Sequence, residues 1–123
     1  MKLFNRVLMV AAATILVQSY AFAGEAPGKM DQGMLVDSKG NTLYTFDNDK
    51  DGKSMCNGAC AENWPPFLGS AEAMAEGDFT LVTRDDGKKQ WAYKGKPLYF
   101  FIKDKKPGDK MGDDVKKVWH VVK

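Results

Sequence analysis

The sequence predicts a mostly β fold: one small domain of two degenerate tandem repeats, built from antiparallel hairpin and meander strands with at most short helical turns. Three observations carry that expectation. Gly40, Leu43, Tyr44, Phe46, Asp49, Lys50 and Trp64 recur, each 55 positions later, as Gly95, Leu98, Tyr99, Phe101, Asp104, Lys105 and Trp119. Self-similarity at a fixed period marks supersecondary units that bury their apolar faces against one another. The apolar segments are short and bounded by clusters of Gly, Pro, Asp, Asn and Lys, which is strand-and-turn punctuation. No amphipathic run is long enough for a helix that packs by itself.

Taken in chain order, Lys2 and Arg6 precede an apolar run over residues 7–17, and Ala21, Phe22 and Ala23 form a small-x-small site. That is the three-part pattern of a secretory signal peptide over residues 1–23, cleaved near Ala23/Gly24. The run is shorter than the roughly 20 apolar residues of a membrane span, so no transmembrane segment is expected. No cysteine follows the small residues, and no lipid anchor is expected. Residues 24–33, rich in Gly, Pro and charge, read as a flexible leader. The domain is expected over 34–123, its repeats at about 34–68 and 79–123. Residues 34–36 and 42–46 flank the turn-rich Asp37-Ser38-Lys39-Gly40-Asn41 and read as a first hairpin. Residues 71–76 suffice for one helical turn. Residues 79–84, 89–94 and 97–101 read as an antiparallel meander. Residues 117–122 close the chain as a strand, with Trp119 and Val121 on one face and Val118, His120 and Val122 on the other.

Before Gly24 the only charged residues are Lys2 and Arg6, so 16 of the 18 Lys plus Arg remain against 16 Asp plus Glu. A near-neutral exported chain carries no electrostatic footprint for nucleic acid or an anionic membrane. The expected partner is an envelope protein or a small ligand, with the chain periplasmic or secreted. A domain of this size buries only roughly 60 to 65 per cent of its surface, so a covalent staple adds useful stability.

In the two Leu-Tyr-x-Phe cores, Leu43 and Leu98 share one strand face with the residue two on, while Tyr44 with Phe46, and Tyr99 with Phe101, share the other. Paired aromatics read first as core, with Asp49 and Asp104 as the polar partners that buried tyrosine hydroxyls need. A ligand-facing aromatic patch is the alternative. The YxFxxD repeat, the segment Cys56-Asn57-Gly58-Ala59-Cys60-Ala61 leading to Trp64-Pro65-Pro66, the block RDDGKKQWAYKGKPLY and Trp119 together resemble the secreted repeat family of unknown function, often described as predicted lipoproteins. The resemblance implies export and repetition and supplies no mechanism.

Chemistry-bearing residues are few. Cys56 and Cys60, present in the first repeat alone, most economically form one disulfide in an oxidising compartment. A copper site competes for them, because thiolates and thioethers select Cu(I): Met55, Cys56, Cys60 and Met111, which falls 55 positions after Cys56, with His120 as a nitrogen donor. Asp47, Asp49 and Asp51 before Gly52 resemble the first half of a calcium loop, without its closing Glu. Otherwise no cofactor is expected. One histidine, no nucleophile elbow and no phosphate loop leave no catalytic constellation. The functional expectation is an exported, non-catalytic binding or structural module of the cell envelope. Periplasmic metal handling through the Cys/Met cluster is the alternative, and thiol redox chemistry the third reading.

Overall fold

The structure, a computed structural model, describes residues 26–123. The expected signal peptide and its cleavage site at Ala23/Gly24 lie outside the described residues. Gly28–Asp31 (β1) pairs antiparallel with Met34–Asp37 (β2). Gln32 and Gly33 join them at φ of 53° and 81°, the left-handed pair that a two-residue hairpin with native twist requires. Residues 28–33, read from the sequence as part of a flexible leader, are thus strand and turn. Lys29, Met30 and Asp31 are exposed, so no apolar alternation announces β1, and its strand character resides in backbone pairing alone.

At the end of β2 the Asp37 carboxylate accepts the N–H groups of Lys39 and Asn41, each at 2.9 Å, an Asx turn. The chain returns with Val36 bridging Thr42, and the Leu43 N–H donates to the Leu35 carbonyl at 3.1 Å. The expected first hairpin ends there. From Tyr44 the chain leaves β2, and Tyr44–Phe46 (β3) pairs with Trp119–Val121 (β7) at the far end of the sequence. Phe79–Thr83 (β4), Lys89–Tyr93 (β5) and Lys96–Pro97 (β6) form the expected antiparallel meander. The helix lies elsewhere than expected. Ala59–Asn63 forms a five-residue α1, too short to show a period, whereas residues 71–76 hold only a turn closed by Ala73 N–H to the Ser70 carbonyl at 3.1 Å.

The repeats interlock about a pseudo-two-fold axis. Tyr44 and Tyr99 exchange both backbone hydrogen bonds, at 2.8 and 2.9 Å. The Trp-bearing tail of each repeat then lies beside the Tyr strand of the other: Asp47 N–H donates to the Val118 carbonyl at 2.8 Å, and Ile102 N–H to the Asn63 carbonyl at 2.9 Å. Both donor and acceptor are 55 positions apart in the two bonds.

The layer so formed is covered on both faces, and the Leu-Tyr alternation divides its side chains between two cores. Tyr44, Tyr99, Trp64, Trp119, Val36 and Val121 fill one; Leu35, Leu43, Leu98, Phe79 and Trp91 fill the other. Tyr44, Tyr99, Leu43 and Leu98 are all 0% exposed. Burying such a side chain contributes about 1.5 to 3 kcal/mol, so these four positions anchor the domain.

Candidate functional site

Two tryptophans and two phenylalanines of the repeat motifs form one continuous stack. Trp64 and Trp119 lie face to face at 3.8 Å between centroids and 2° between planes. Phe46 covers the outer face of Trp119 at 4.1 Å, and Phe101 that of Trp64 at 4.1 Å. The symmetry axis passes between the tryptophans. Tyr44 meets Trp64 edge-on at 5.4 Å, and Tyr99 meets Trp119 edge-on at 5.1 Å, the geometry that the ring quadrupole favours.

The motif tyrosines find the expected aspartates, but crosswise. Tyr44 Oη donates to Asp104 Oδ2 at 2.7 Å, and Tyr99 Oη to Asp49 Oδ2 at 2.7 Å. The other oxygen of each carboxylate accepts a backbone N–H, from Met55 at 2.7 Å and from Met111 at 2.8 Å. Met111 is thus the counterpart of Met55, and not of Cys56 as the fixed offset suggests, because the second motif turn is one residue longer. Burial, reinforced by the adjacent carboxylate, pushes both tyrosine hydroxyls well above their ordinary value. Burial also raises the Asp49 carboxyl, opposed by the Met55 N–H, the Tyr99 hydroxyl and the Arg84 charge.

A pH dependence follows from the tyrosines. Their protons are retained in the folded chain and released in the unfolded chain above about pH 10, so stability is fully present below that pH and falls as pH rises beyond it. With both tyrosines contributing, the expected steepness approaches about 2.7 kcal/mol per pH unit. Urea titrations across the alkaline range should show that fall, and Tyr44→Phe with Tyr99→Phe should flatten it. An unchanged slope in the double variant would show that the two protons are not withheld.

A buried polar chain joins the disulfide loop of the first repeat to two residues of the second, Arg84 and Gln90. Arg84, 4% exposed, donates from Nη1 to Ser54 Oγ at 3.0 Å and to Gln90 Oε1 at 2.8 Å, and from Nη2 to the Cys56 carbonyl at 2.9 Å and Asn57 Oδ1 at 3.2 Å. Ser54 Oγ lies 2.6 Å from Tyr99 Oη. With Asp49 ionised and acceptor-only, Tyr99 donates to Asp49, Ser54 donates to Tyr99, and Arg84 donates to Ser54. Sequence reading missed Arg84, Ser54 and Gln90. One signal was available: Arg84 is the only arginine after residue 6 in a chain otherwise supplied with lysine, and arginine is the cation suited to several simultaneous buried donations.

The structure places the candidate metal residues as follows. Cys56 and Cys60 form the disulfide, with Sγ atoms 2.02 Å apart, so their sulfurs are not thiolates. A loop this short contributes about 2 kcal/mol in the chain-entropy account. The side chains of Met55 and Met111 are exposed. His120 Nε2 pairs with Asp47 Oδ2 at 2.8 Å. Asp49 is taken up by Tyr99 and Met55, which separates it in role from Asp47 and leaves Asp51 exposed. Among the described residues no three His, Cys, Asp or Glu side chains converge to hold a metal ion.

The concavities divide by symmetry. Asn41, Thr42, Phe100, Phe101 and Asp104 line one of about 250 Å³. The positions 55 residues away, with Asp47, Asp51, Gly52 and Gly95, line one of about 260 Å³. A third, of about 330 Å³, lies between Tyr93, Lys94, Asp47 and His120. The largest of these four, about 370 Å³, runs along the stack: Phe46, Trp64 and Trp119 line it with Ala59, Cys60 and Asn63 from α1, with Val115, Lys116 and Val118, and with Asn48. Its outer wall is conformationally strained. Asp114, Lys116 and Lys117 adopt φ of 69°, 52° and 62°, a left-handed backbone that costs L-residues about 1 to 2 kcal/mol each and that clusters at binding sites.

The opposite end of the stack is sealed by backbone. Gly112 is so close that a Cβ there would stand 2.7 Å from Trp64 and 3.0 Å from Phe101. Gly112→Ala is therefore expected to lower stability by about 1 to 3 kcal/mol through overpacking, measured by denaturant unfolding. A neutral outcome would show that the stack yields freely. The groove lies along Phe46, Trp64 and Trp119, whereas Gly112 packs against Trp64 and Phe101.

An interlocked pair of β repeats, stapled by a disulfide and built on a shared aromatic stack, is the class of protein that this fold and site define. Residues 28–67 and 80–123 both match a family described as a secreted repeat of unknown function, and the chain belongs to it. No curated protein and no solved structure matches the chain. Among the described residues no helix is long and apolar enough to cross a membrane.

Proposed function

We propose that this protein is a non-catalytic binding module of the cell envelope, working in the periplasm or outside the cell, and that its ligand-facing surface is the groove along the aromatic stack. The observation that carries the reading is the groove itself: about 370 Å³ against three stacked rings, with strained backbone at its rim. A volume of that order, with apolar walls and a few polar groups, is what small-ligand sites require. The titratable groups of the motifs support a non-catalytic role: their carboxylates hold tyrosines, Arg84 holds the disulfide loop, and Asp47 pairs with His120.

The test uses an uncharged fluorescent probe, N-phenylnaphthylamine, titrated into the folded protein. Saturable binding with a stoichiometry of one, accompanied by a change in tryptophan emission, is expected. Ala59→Trp, which places an indole into the groove from an exposed helix position, should abolish it while leaving the circular dichroism unchanged. Binding that persists in the filled variant would remove the groove from consideration.

A further inference from the structure

The geometry points to an amphipathic monoanion as the ligand of the stack groove: a flat apolar body against the rings of Phe46, Trp64 and Trp119, and a single acidic group at the rim held by Lys116 and the carboxamides of Asn48 and Asn63. The inference rests on the groove reading above and adds the chemical class of the occupant.

Charge is the first argument. Each of the three other concavities described above presents a carboxylate: Asp104 in one, Asp47, Asp49 and Asp51 in the second, and Asp47 in the third, where it lines the wall with Lys94, Lys96 and Lys123. The stack groove presents none, and its only charged lining residue is Lys116. In a chain whose acidic and basic residues are so evenly interleaved, an apolar groove lined by one ammonium and no carboxylate, with Asp114 and Lys117 of opposite charge flanking it in sequence, favours one negative charge. The carboxamide groups of Asn48 and Asn63 donate hydrogen bonds to oxyanions without adding charge.

Backbone conformation is the second argument and is independent of the first. Lys116 stands at φ 52°, between Asp114 and Lys117, which are also left-handed. Unconstrained, the chain would leave that conformation, so the surrounding structure must hold the segment in place. The Asp114 N–H donates to the Trp119 carbonyl and the Lys117 N–H to the Asp114 carbonyl at 3.0 Å, which ties the rim to the strand that carries the stack. The Lys116 backbone is thereby held at the groove rim, and its flexible side chain reaches for an anion from a fixed point. Floor and rim together define the body and the head of one ligand.

The test compares two probes with the same aromatic body, one of which carries a sulfonate: N-phenylnaphthylamine and anilinonaphthalene sulfonate. The anionic probe is expected to bind about three- to tenfold more tightly, as one charge-assisted contact at an exposed rim allows. Lys116→Glu should reverse that preference, and added salt should weaken the anionic probe far more than the uncharged one. Near-ultraviolet circular dichroism of each variant checks that the stack is intact. Equal affinities for the two probes, or a preference that survives Lys116→Glu, would overturn the anionic class while leaving the groove standing. Failure of both probes to bind, or binding unaffected by Ala59→Trp, would overturn the groove and the class together.

Discussion

Expressed separately, residues 26–69 and 70–123 are expected to be unstructured, and mixing them in equal amounts should restore the folded domain. Neither half contains the groups that complete its own motif. The Tyr44 hydroxyl requires Asp104 and the Tyr99 hydroxyl requires Asp49; β3 requires β7; Trp64 and Trp119 require each other. Each half, moreover, is of a length at which a single chain seldom buries enough apolar surface to offset its conformational entropy. The measurement is far-ultraviolet circular dichroism and tryptophan emission of each half and of the mixture, with the disulfide kept intact in the first. Cooperative unfolding of either half alone would show that the repeats are independent units. Failure of the mixture to fold would show that covalent continuity between residues 69 and 70 is itself required.

Arg84→Lys should cost about 2 to 4 kcal/mol, although it keeps the charge. Four donated hydrogen bonds bind the guanidinium to Ser54, Gln90, Cys56 and Asn57, and the site is closed to water. A lysine offers one nitrogen on a flexible stem, so it satisfies only part of this set, and each buried acceptor left unpaired costs about 1 to 3 kcal/mol. Gln90 Nε2 would still donate to the Leu98 carbonyl at 2.7 Å, which keeps one arm of the network and bounds the loss. The melting temperature should drop on the order of 10 to 20 °C, with the denaturant m-value unchanged. A loss below about 1 kcal/mol would mean that the arginine is held by the fold and does not hold it.

Much of this architecture was legible from residue order. The 55-residue offset located both motifs, and the alternation within Leu-Tyr-x-Phe assigned leucine and tyrosine to opposite faces, where the structure has them in separate cores. The meander over residues 79–97 and the Trp119/Val121 face of β7 were legible for the same reason: side-chain period and turn residues are local properties. Gly28–Asp31 was not legible, because its exposed side chains carry no pattern, nor was Ala59–Asn63, which is shorter than the period that would reveal it. The groove was legible only in its ingredients, with Phe46, Trp64 and Trp119 singled out as core and Lys116 not singled out at all.

The sequence by itself determined the repeat, the aromatic residues of its cores, the pairing of tyrosine with aspartate as chemical types, and the two cysteines near enough to pair. Tertiary structure alone decided that each tyrosine takes the aspartate of the other repeat, that the tryptophans meet at the symmetry axis, and that Gly112 closes on Trp64 and Phe101 while a groove runs along Phe46, Trp64 and Trp119. The reason is physical. Which groups must be satisfied follows from burial and hydrogen-bonding capacity, which every residue carries with it. Which partner satisfies them depends on what the folded chain brings within about 3 Å, and in a symmetric pair of repeats the local and the crossed partner are chemically identical. Only packing distinguishes them, and here the exchange of backbone bonds between Tyr44 and Tyr99 at 2.8 and 2.9 Å sets the crossed arrangement.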